Sequence, residues 1–199
     1  MYSTRAKSLE VDSTVAGLLS AVRQFHDYAD LWHRAEHAPK CVTGDTPADA
    51  LYLHAVNFHL WHHEDAVRRP GVADGEVARR KRAIDDLNAR RNAAVEHIDV
   101  TLLNHLDPQR DSDASLHTET PGRIVDRLSI LVLRIFHANR TQVAGPHVVE
   151  LNEQYDDLLG GLERFLYRMK KGEVRFKLYR QFKAAEQRGY CALFETRGT

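Results

Sequence analysis

The chain has 199 residues, of which 43% are hydrophobic and 28% are charged, and its formal net charge is zero. A chain of this length and composition is able to form one globular domain with its own core. The balance of charges excludes a general nucleic-acid binder, which needs a net basic surface. No apolar run approaches the length of a membrane span, so we expect no contact with a membrane.

The cysteines and the N-terminus favour a cytoplasmic protein. Cys41 and Cys191 form no metal-binding or redox motif. The first residues, MYSTRAKSLEVDST, contain no apolar signal region. A reducing compartment is the simplest setting for such a chain.

Helical periodicity predicts an all-α fold. Residues 1–11 are expected to form a flexible tail, and residues 12–199 a single helical-bundle domain. No segment shows the sustained alternation that is typical of strands. The predicted helices span, in chain order, about 14–37, 47–68, 75–106, 121–143, 147–171 and 173–187. We therefore expect an antiparallel bundle of about six helices.

Start and stop signals support these boundaries. Thr46 and Pro47, with Asp49 shortly after, are typical of a helix start, and Thr120 precedes a second proline in the same way. Gly172 is the expected end of the fifth helix.

The third predicted helix carries an unusual line of polar side chains beside its apolar stripe. Arg91 falls on the apolar stripe itself, seven residues after Ile84. Steps of three and four residues place the polar line on one helical face. Short polar groups bordering a core are costly to bury unless they are paired or used. The line consists of Asp85, Asn88, Asn92, Glu96 and Asp99.

Other polar groups lie on the second, fourth and sixth predicted helices. His62 and Asp65 fall on or beside the apolar face of helix two, next to Trp61. The first turn of helix four has free backbone donors close to Arg123 and Arg127, which predicts an anion site. Asp126 lies one turn further on, and Arg180 and Lys183 belong to a basic C-terminal segment.

Together these groups predict one polar pocket that holds an anionic small molecule. Arginine grips phosphate, sulfate or carboxylate through two hydrogen bonds, and a carboxylate or histidine moves protons near neutral pH. The predicted catalytic residues are His62, Asp65, Asp85, Glu96 and Asp126. The predicted substrate-binding residues are Trp61, Asn88, Arg91, Asn92, Arg123, Arg127, Arg180 and Lys183.

Two alternatives stay open for these residues. The first is a purely structural network, in which Asp126 pairs with Arg91 and Asp85 pairs with Arg127 to fix the helix register. The second is a helical-bundle metalloenzyme, because bundles build metal sites from ligands on facing helices. No cofactor is predicted, but the candidate ligands of this second alternative are His59, His62, Glu64 and Asp65.

Four ordered motifs lie along the predicted helices. They consist of Asn57, Leu60, Trp61, His62, Glu64 and Asp65; Ile84, Asp85, Leu87, Asn88, Arg91, Asn92, Glu96 and Asp99; Glu119, Thr120, Pro121, Gly122, Asp126, Arg127, Leu128, Ser129 and Ile130; and Tyr179, Arg180, Gln181, Phe182 and Lys183. Over about residues 50–185, these motifs resemble an uncharacterised bacterial helical family catalogued as domain of unknown function 4254. The sequence departs from the family pattern at Ala93, where an acidic residue is usual, and after Lys183.

The resemblance implies small-molecule metabolism, in specialised-metabolite or glycoconjugate biosynthesis, without naming a step. Combined with the polar pocket, it predicts a cofactor-independent enzyme, or an obligate enzyme subunit, that performs acid–base chemistry on an anionic intermediate. Elimination, isomerisation and displacement of a phosphate or sulfate by an internal amine all suit such a pocket. The alternative is a non-catalytic scaffold for a biosynthetic transferase. We expect either a protein partner that completes the site or a homodimer.

Overall fold

The computed structural model describes residues 3–35, 45–106, 113–140 and 146–179, with the side chains of these residues except 3–12 and 146. Within these ranges the chain forms an all-α helical bundle with one very small sheet, which confirms the predicted fold class. The elements are α1 (Ser3–Arg23), α2 (Phe25–Arg34), α3 (Thr46–Val67), α4 (Asp74–Leu106), β1 (Ser115–His117), α5 (Pro121–Arg140), α6 (Pro146–Lys170) and β2 (Val174–Phe176).

The N-terminal region differs from the expectation in two ways. Helix α1 begins at Ser3, so it includes most of the segment predicted as a tail. The single helix predicted over 14–37 is divided by a turn at Gln24, and α2 ends at Arg34. Nothing in the local sequence marks this break, since Gln24 is a good helix former.

Helix α3 begins with a side-chain cap. The carboxylate of Asp45 accepts a hydrogen bond from the backbone N–H of Ala48 at 3.0 Å. The capping residue is therefore Asp45, one residue before the Thr46 and Pro47 start signal. Thr46 is instead buried inside the first turn.

The segment after α6 contradicts the first part of the predicted sixth helix, residues 173–179, and residues 180–187 of that prediction lie outside the described residues. Gly172 has φ of +73°, a left-handed conformation that favours glycine, and the N–H of Glu173 reaches back to the carbonyl of Arg168 at 3.0 Å. The chain then leaves as strand β2, which pairs in parallel with β1. Val174 and Phe176 are buried on one face, so the short alternating pattern of these residues wins over helix propensity.

Helix α5 lies at the centre of the bundle. It contacts α1, α2, α3, α4 and α6, and most of its residues are buried. Its apolar residues Ile124, Leu128 and Val132 are buried in the core. The same core cluster contains Leu18, Phe25, Leu53, Ile98, Leu162 and Val174, one residue each from α1, α2, α3, α4, α6 and β2.

No helix among the described residues is long and apolar enough to cross a membrane.

Candidate functional site

A polar cleft runs along α4, with a volume of about 800 Å³. The whole line of polar residues on α4 borders it, as helical spacing predicts: Asp85, Asn88, Asn92, Glu96 and Asp99. The opposite wall comes from the segment after β1, the first turn of α5 and the segment after β2, through Thr118, Thr120, Arg123, Lys177, Leu178 and Tyr179. We call this space the polar cleft.

The two walls of the polar cleft carry opposite charges. Asp85, Glu96 and Asp99 line the α4 side, whereas Arg123 and Lys177 line the other side. A molecule that carries an acidic group and a hydrogen-bond donor or ammonium group matches both walls.

Asp99 is the buried carboxyl of the polar cleft, with only 2% of its surface exposed. Its Oδ1 accepts a hydrogen bond from the backbone N–H of Gly122 at 2.6 Å. Burial raises the pKa of Asp99 to about 6, although hydrogen bonds from the Thr120 side chain and Gly122 and the charge of Arg123 act in the opposite direction. A carboxyl with this pKa exchanges protons near neutral pH.

Gly122 allows α4 and α5 to come close at this point. A Cβ atom at position 122 would lie 2.5 Å from the carbonyl oxygen of Val95 and 2.9 Å from Oδ1 of Asp99. Only glycine fits this approach without a shift of the backbone. Asp99 of one helix thereby caps the first turn of the other.

The anion site predicted at this helix start therefore loses some of its donors. The N–H of Gly122 binds Asp99, and the N–H of Arg123 faces the hydroxyl of Thr120 at 3.3 Å. An anion near α5 would depend on the side chains of Arg123 and Lys177 more than on the backbone.

Arg91 and Asp126 lie apart from the polar cleft and form a bidentate ion pair. Arg91 Nε and Nη2 donate to the two carboxylate oxygens at 2.7 and 2.6 Å, and Asp126 is only 3% exposed. The amide of Asn57 donates to the same carboxylate at 2.9 Å. The ion pair between Arg91 and Asp126 is the one that the structural alternative predicted.

The network continues from Asn57 to the buried histidine of α3. Asn57 Nδ2 donates to Ser129 Oγ at 3.0 Å, and Ser129 lies 2.8 Å from Nδ1 of His54. Nε2 of His54 lies 3.0 Å from the carbonyl of Phe25, which only accepts, so Nε2 carries the proton and Nδ1 accepts from Ser129. Burial lowers the pKa of His54 to about 3, so its imidazole is neutral at pH 7.

The second ion pair of the structural alternative, between Asp85 and Arg127, is not formed. The guanidinium of Arg127 pairs with Glu119 at 3.0 Å, and not with Asp85. It borders a separate groove of about 570 Å³ between α5 and α6, which Arg134 also lines.

His62 lies in a third location, among aromatic rings. Its Nε2 is 3.2 Å from Nε2 of His33, and the ring of Trp61 stacks on His137 with centroids 5.0 Å apart. Burial and the neighbouring histidines lower the pKa of His62 to about 4. Asp65 is exposed one turn further along α3.

The structure therefore divides the predicted pocket among separate places. The polar cleft contains Asp85, Asn88, Asn92, Glu96 and Arg123 of the predicted set. Arg91 and Asp126 form the buried pair, Arg127 faces another groove, and His62 with Trp61 belongs to the histidine cluster. Arg180 and Lys183 lie outside the described residues.

The structure does not bring the four predicted metal ligands together. Among the described residues, the one group that offers metal-binding geometry contains His33, His62 and His137, and of the four predicted ligands only His62 belongs to it. Glu64 pairs with Arg68 at 3.4 Å and with Lys81 at 3.8 Å.

Sequence reasoning missed several residues of the polar cleft. Asp99 belonged to the predicted polar line but was assigned neither a catalytic nor a binding role. Its spacing from Glu96 was the sequence feature that placed it on this helical face. Thr118 and Lys177 were not singled out in the sequence, and Tyr179 was named only as part of the family resemblance. All three reach the cleft through the segments that follow β1 and β2, and these strands were not predicted.

Comparison with known proteins adds a family but no activity. The family model described as "Protein of unknown function (DUF4254)" matches residues 49–178, which is more than half of the chain. No curated protein and no solved structure matches the chain significantly. The matched range includes most of α3 and all of α4, α5 and α6. It therefore covers the polar cleft except Tyr179, the side chains of the buried network and two of the three clustered histidines. The chain belongs to the DUF4254 family of proteins of unknown function.

Proposed function

We propose that this protein is an enzyme of small-molecule biosynthesis that performs acid–base chemistry on an anionic intermediate bound in the polar cleft. The observation that carries the proposal is Asp99, a buried carboxyl with a pKa of about 6 at a cleft that also holds cationic side chains. Such a group accepts or releases a proton at cellular pH, which an ordinary surface aspartate does not.

The opposite charges of the walls assign a role to each side. Arg123 and Lys177 bind the phosphate, sulfate or carboxylate of the intermediate, and Asp85 and Glu96 hold its donor groups. Asp99 then faces a molecule that is already oriented, which converts the proton transfer into an effectively intramolecular step.

This arrangement suits reactions in which a proton leaves while negative charge develops elsewhere. In an elimination or an isomerisation, the Asp99 carboxylate removes a proton from carbon. In a displacement by an internal amine, it removes the proton of the nitrogen while Arg123 and Lys177 stabilise the departing phosphate or sulfate.

Binding of inorganic sulfate tests the cationic wall. We expect the purified chain to bind sulfate by calorimetry, and expect Arg123→Gln and Lys177→Gln each to weaken binding about tenfold, because each removes a charge-assisted contact. Arg164→Gln is the matched control, since Arg164 is exposed on α6 and does not line the cleft. Binding that these two cleft variants leave unchanged would contradict the proposal.

A conservative change at Asp99 separates an enzyme from the predicted scaffold alternative. The amide side chain introduced by Asp99→Asn would still accept the N–H of Gly122 but would not ionise, so the fold and any partner surface are retained. We expect a cell that carries this variant to accumulate the same intermediate as a cell without the gene. A normal product profile in the variant would favour a scaffold.

A further inference from the structure

Three histidines from three different helices bring their ring nitrogens to one point. His33 lies on α2, His62 on α3 and His137 on α5. Nε2 of His33 is 3.2 Å from Nε2 of His62 and 3.3 Å from Nε2 of His137. One ligand atom from each histidine lies within 4.8 Å of the other two.

In this cluster two histidine nitrogens compete for one hydrogen-bond acceptor, Nε2 of His33. Nδ1 of His33 lies 2.6 Å from the carbonyl oxygen of Ala29, so it carries the proton and Nε2 keeps a lone pair. One lone pair accepts one well-directed hydrogen bond, yet two imidazole nitrogens approach it. A cation between the three nitrogens resolves the conflict, because each nitrogen then directs its lone pair toward the cation.

The surroundings hold the three imidazoles in place. All three rings are partly buried. Phe136 stacks on His33 with centroids 3.7 Å apart, and the Ala29 carbonyl fixes the His33 tautomer. A carbonyl bound to the far nitrogen is the usual support of a metal-binding histidine.

We propose that His33, His62 and His137 bind one divalent transition-metal ion, Zn²⁺, through their Nε2 atoms. Zinc–nitrogen bonds of about 2.0–2.1 Å in a tetrahedron place neighbouring nitrogens about 3.3 Å apart. Two of the three nitrogen separations in the cluster already have this length. Three protein ligands leave the fourth position open to water or another small ligand.

The proposed metal site is independent of the polar cleft. None of its three histidines lines the cleft, and the chemistry assigned to Asp99 needs no metal. Charged side chains act electrostatically on the cluster with opposite signs: Asp65 on His62 and His137, and Arg140 on His33 and His137.

Metal titration of the full chain, prepared without a polyhistidine tag and stripped with a chelator, tests the site. We expect one equivalent of Zn²⁺ to bind with micromolar affinity or tighter, and Co²⁺ to give the strong visible absorption of a four-coordinate ion. We also expect saturating Zn²⁺ to raise the melting temperature, because the ion binds the folded state.

His62→Gln and His137→Gln probe the ligands on two different helices. Each is expected to reduce Zn²⁺ affinity at least tenfold and to abolish the Co²⁺ absorption. His105→Gln is the matched control, because His105 makes the same Nδ1 contact to a carbonyl four residues earlier but is not part of the cluster. A wild-type chain that binds no stoichiometric Zn²⁺ overturns the proposal whether or not the variants fold, and so does full binding by both variants. Neither result affects the sulfate test of the polar cleft.

Discussion

Burial and hydrogen bonding shift the pKa of the Asp99 carboxyl group in opposite directions. Burial dominates and raises its pKa to about 6, whereas Thr120, Gly122 and Arg123 all favour the charged form. The buried Asp126 has both oxygens occupied by a guanidinium. The two aspartates therefore have different roles: Asp126 completes an ion pair, and Asp99 keeps a proton that it is able to exchange.

The raised pKa of Asp99 predicts how stability depends on pH. Between about pH 4 and pH 6 the unfolded chain has lost the Asp99 proton while the folded chain retains it, so the stability contributed by this group falls as the pH rises. Asp99→Asn has no such proton. We expect the free energy of unfolding of the wild type, relative to that of Asp99→Asn, to fall by up to about 3 kcal/mol from pH 4 to pH 7.

Denaturant unfolding of both proteins across this pH range measures the difference. Parallel pH profiles for the two proteins would contradict a raised pKa at Asp99.

At the scale of elements, the approach of α4 to α5 creates one end of the polar cleft. Val95 and Asp99 on α4 meet the first turn of α5 at Gly122. The sequence marks both partners, an aspartate on the polar line and a glycine after Pro121, but not their contact. The short strands show the same limit: the alternation of Val174 and Phe176 is too short to recognise before β1 is known to lie beside it.

Gly122→Ala tests this close approach. The added Cβ would collide with the Val95 carbonyl, which is backbone and cannot rotate away, so we expect a loss of about 1–3 kcal/mol of stability. Gly161→Ala on α6 is the matched control, because a Cβ there meets nothing within 4 Å. Alanine at position 161 should stabilise the fold by up to about 1 kcal/mol, through its higher helix propensity. Equal effects of the two substitutions in chemical unfolding would refute the packing argument.

Across the whole molecule, one polar network connects four helices through the core. It runs from Arg91 on α4 through Asp126 and Ser129 on α5 and Asn57 and His54 on α3 to the Phe25 carbonyl on α2. Every step has a defined donor and acceptor, so the network favours this arrangement of the helices.

Arg91→Met tests how much this network contributes to the stability of the fold. It leaves the Asp126 carboxylate buried without its charge partner, so we expect a loss of about 3 kcal/mol and a melting temperature lower by on the order of 10 °C. Arg90→Met is the matched control, because Arg90 forms an exposed pair with Asp86 and should change stability by less than about 0.5 kcal/mol. Similar melting temperatures for the two variants would show that the Arg91 pair contributes no more than a surface pair.

The fold class, most helix boundaries and the polar face of α4 are predictable from the amino-acid sequence, because they follow from the spacing of residues along one helix. The cytoplasmic location, the single domain and the protein partner stay predictions. Which polar groups meet depends on how the helices pack. The tertiary structure placed Arg91 against Asp126, separated His62 from the polar cleft, and joined His33, His62 and His137 across three helices. Helical periodicity gives the direction of a side chain from its own axis, whereas a site also requires the rotation and relative position of neighbouring helices, which packing alone determines.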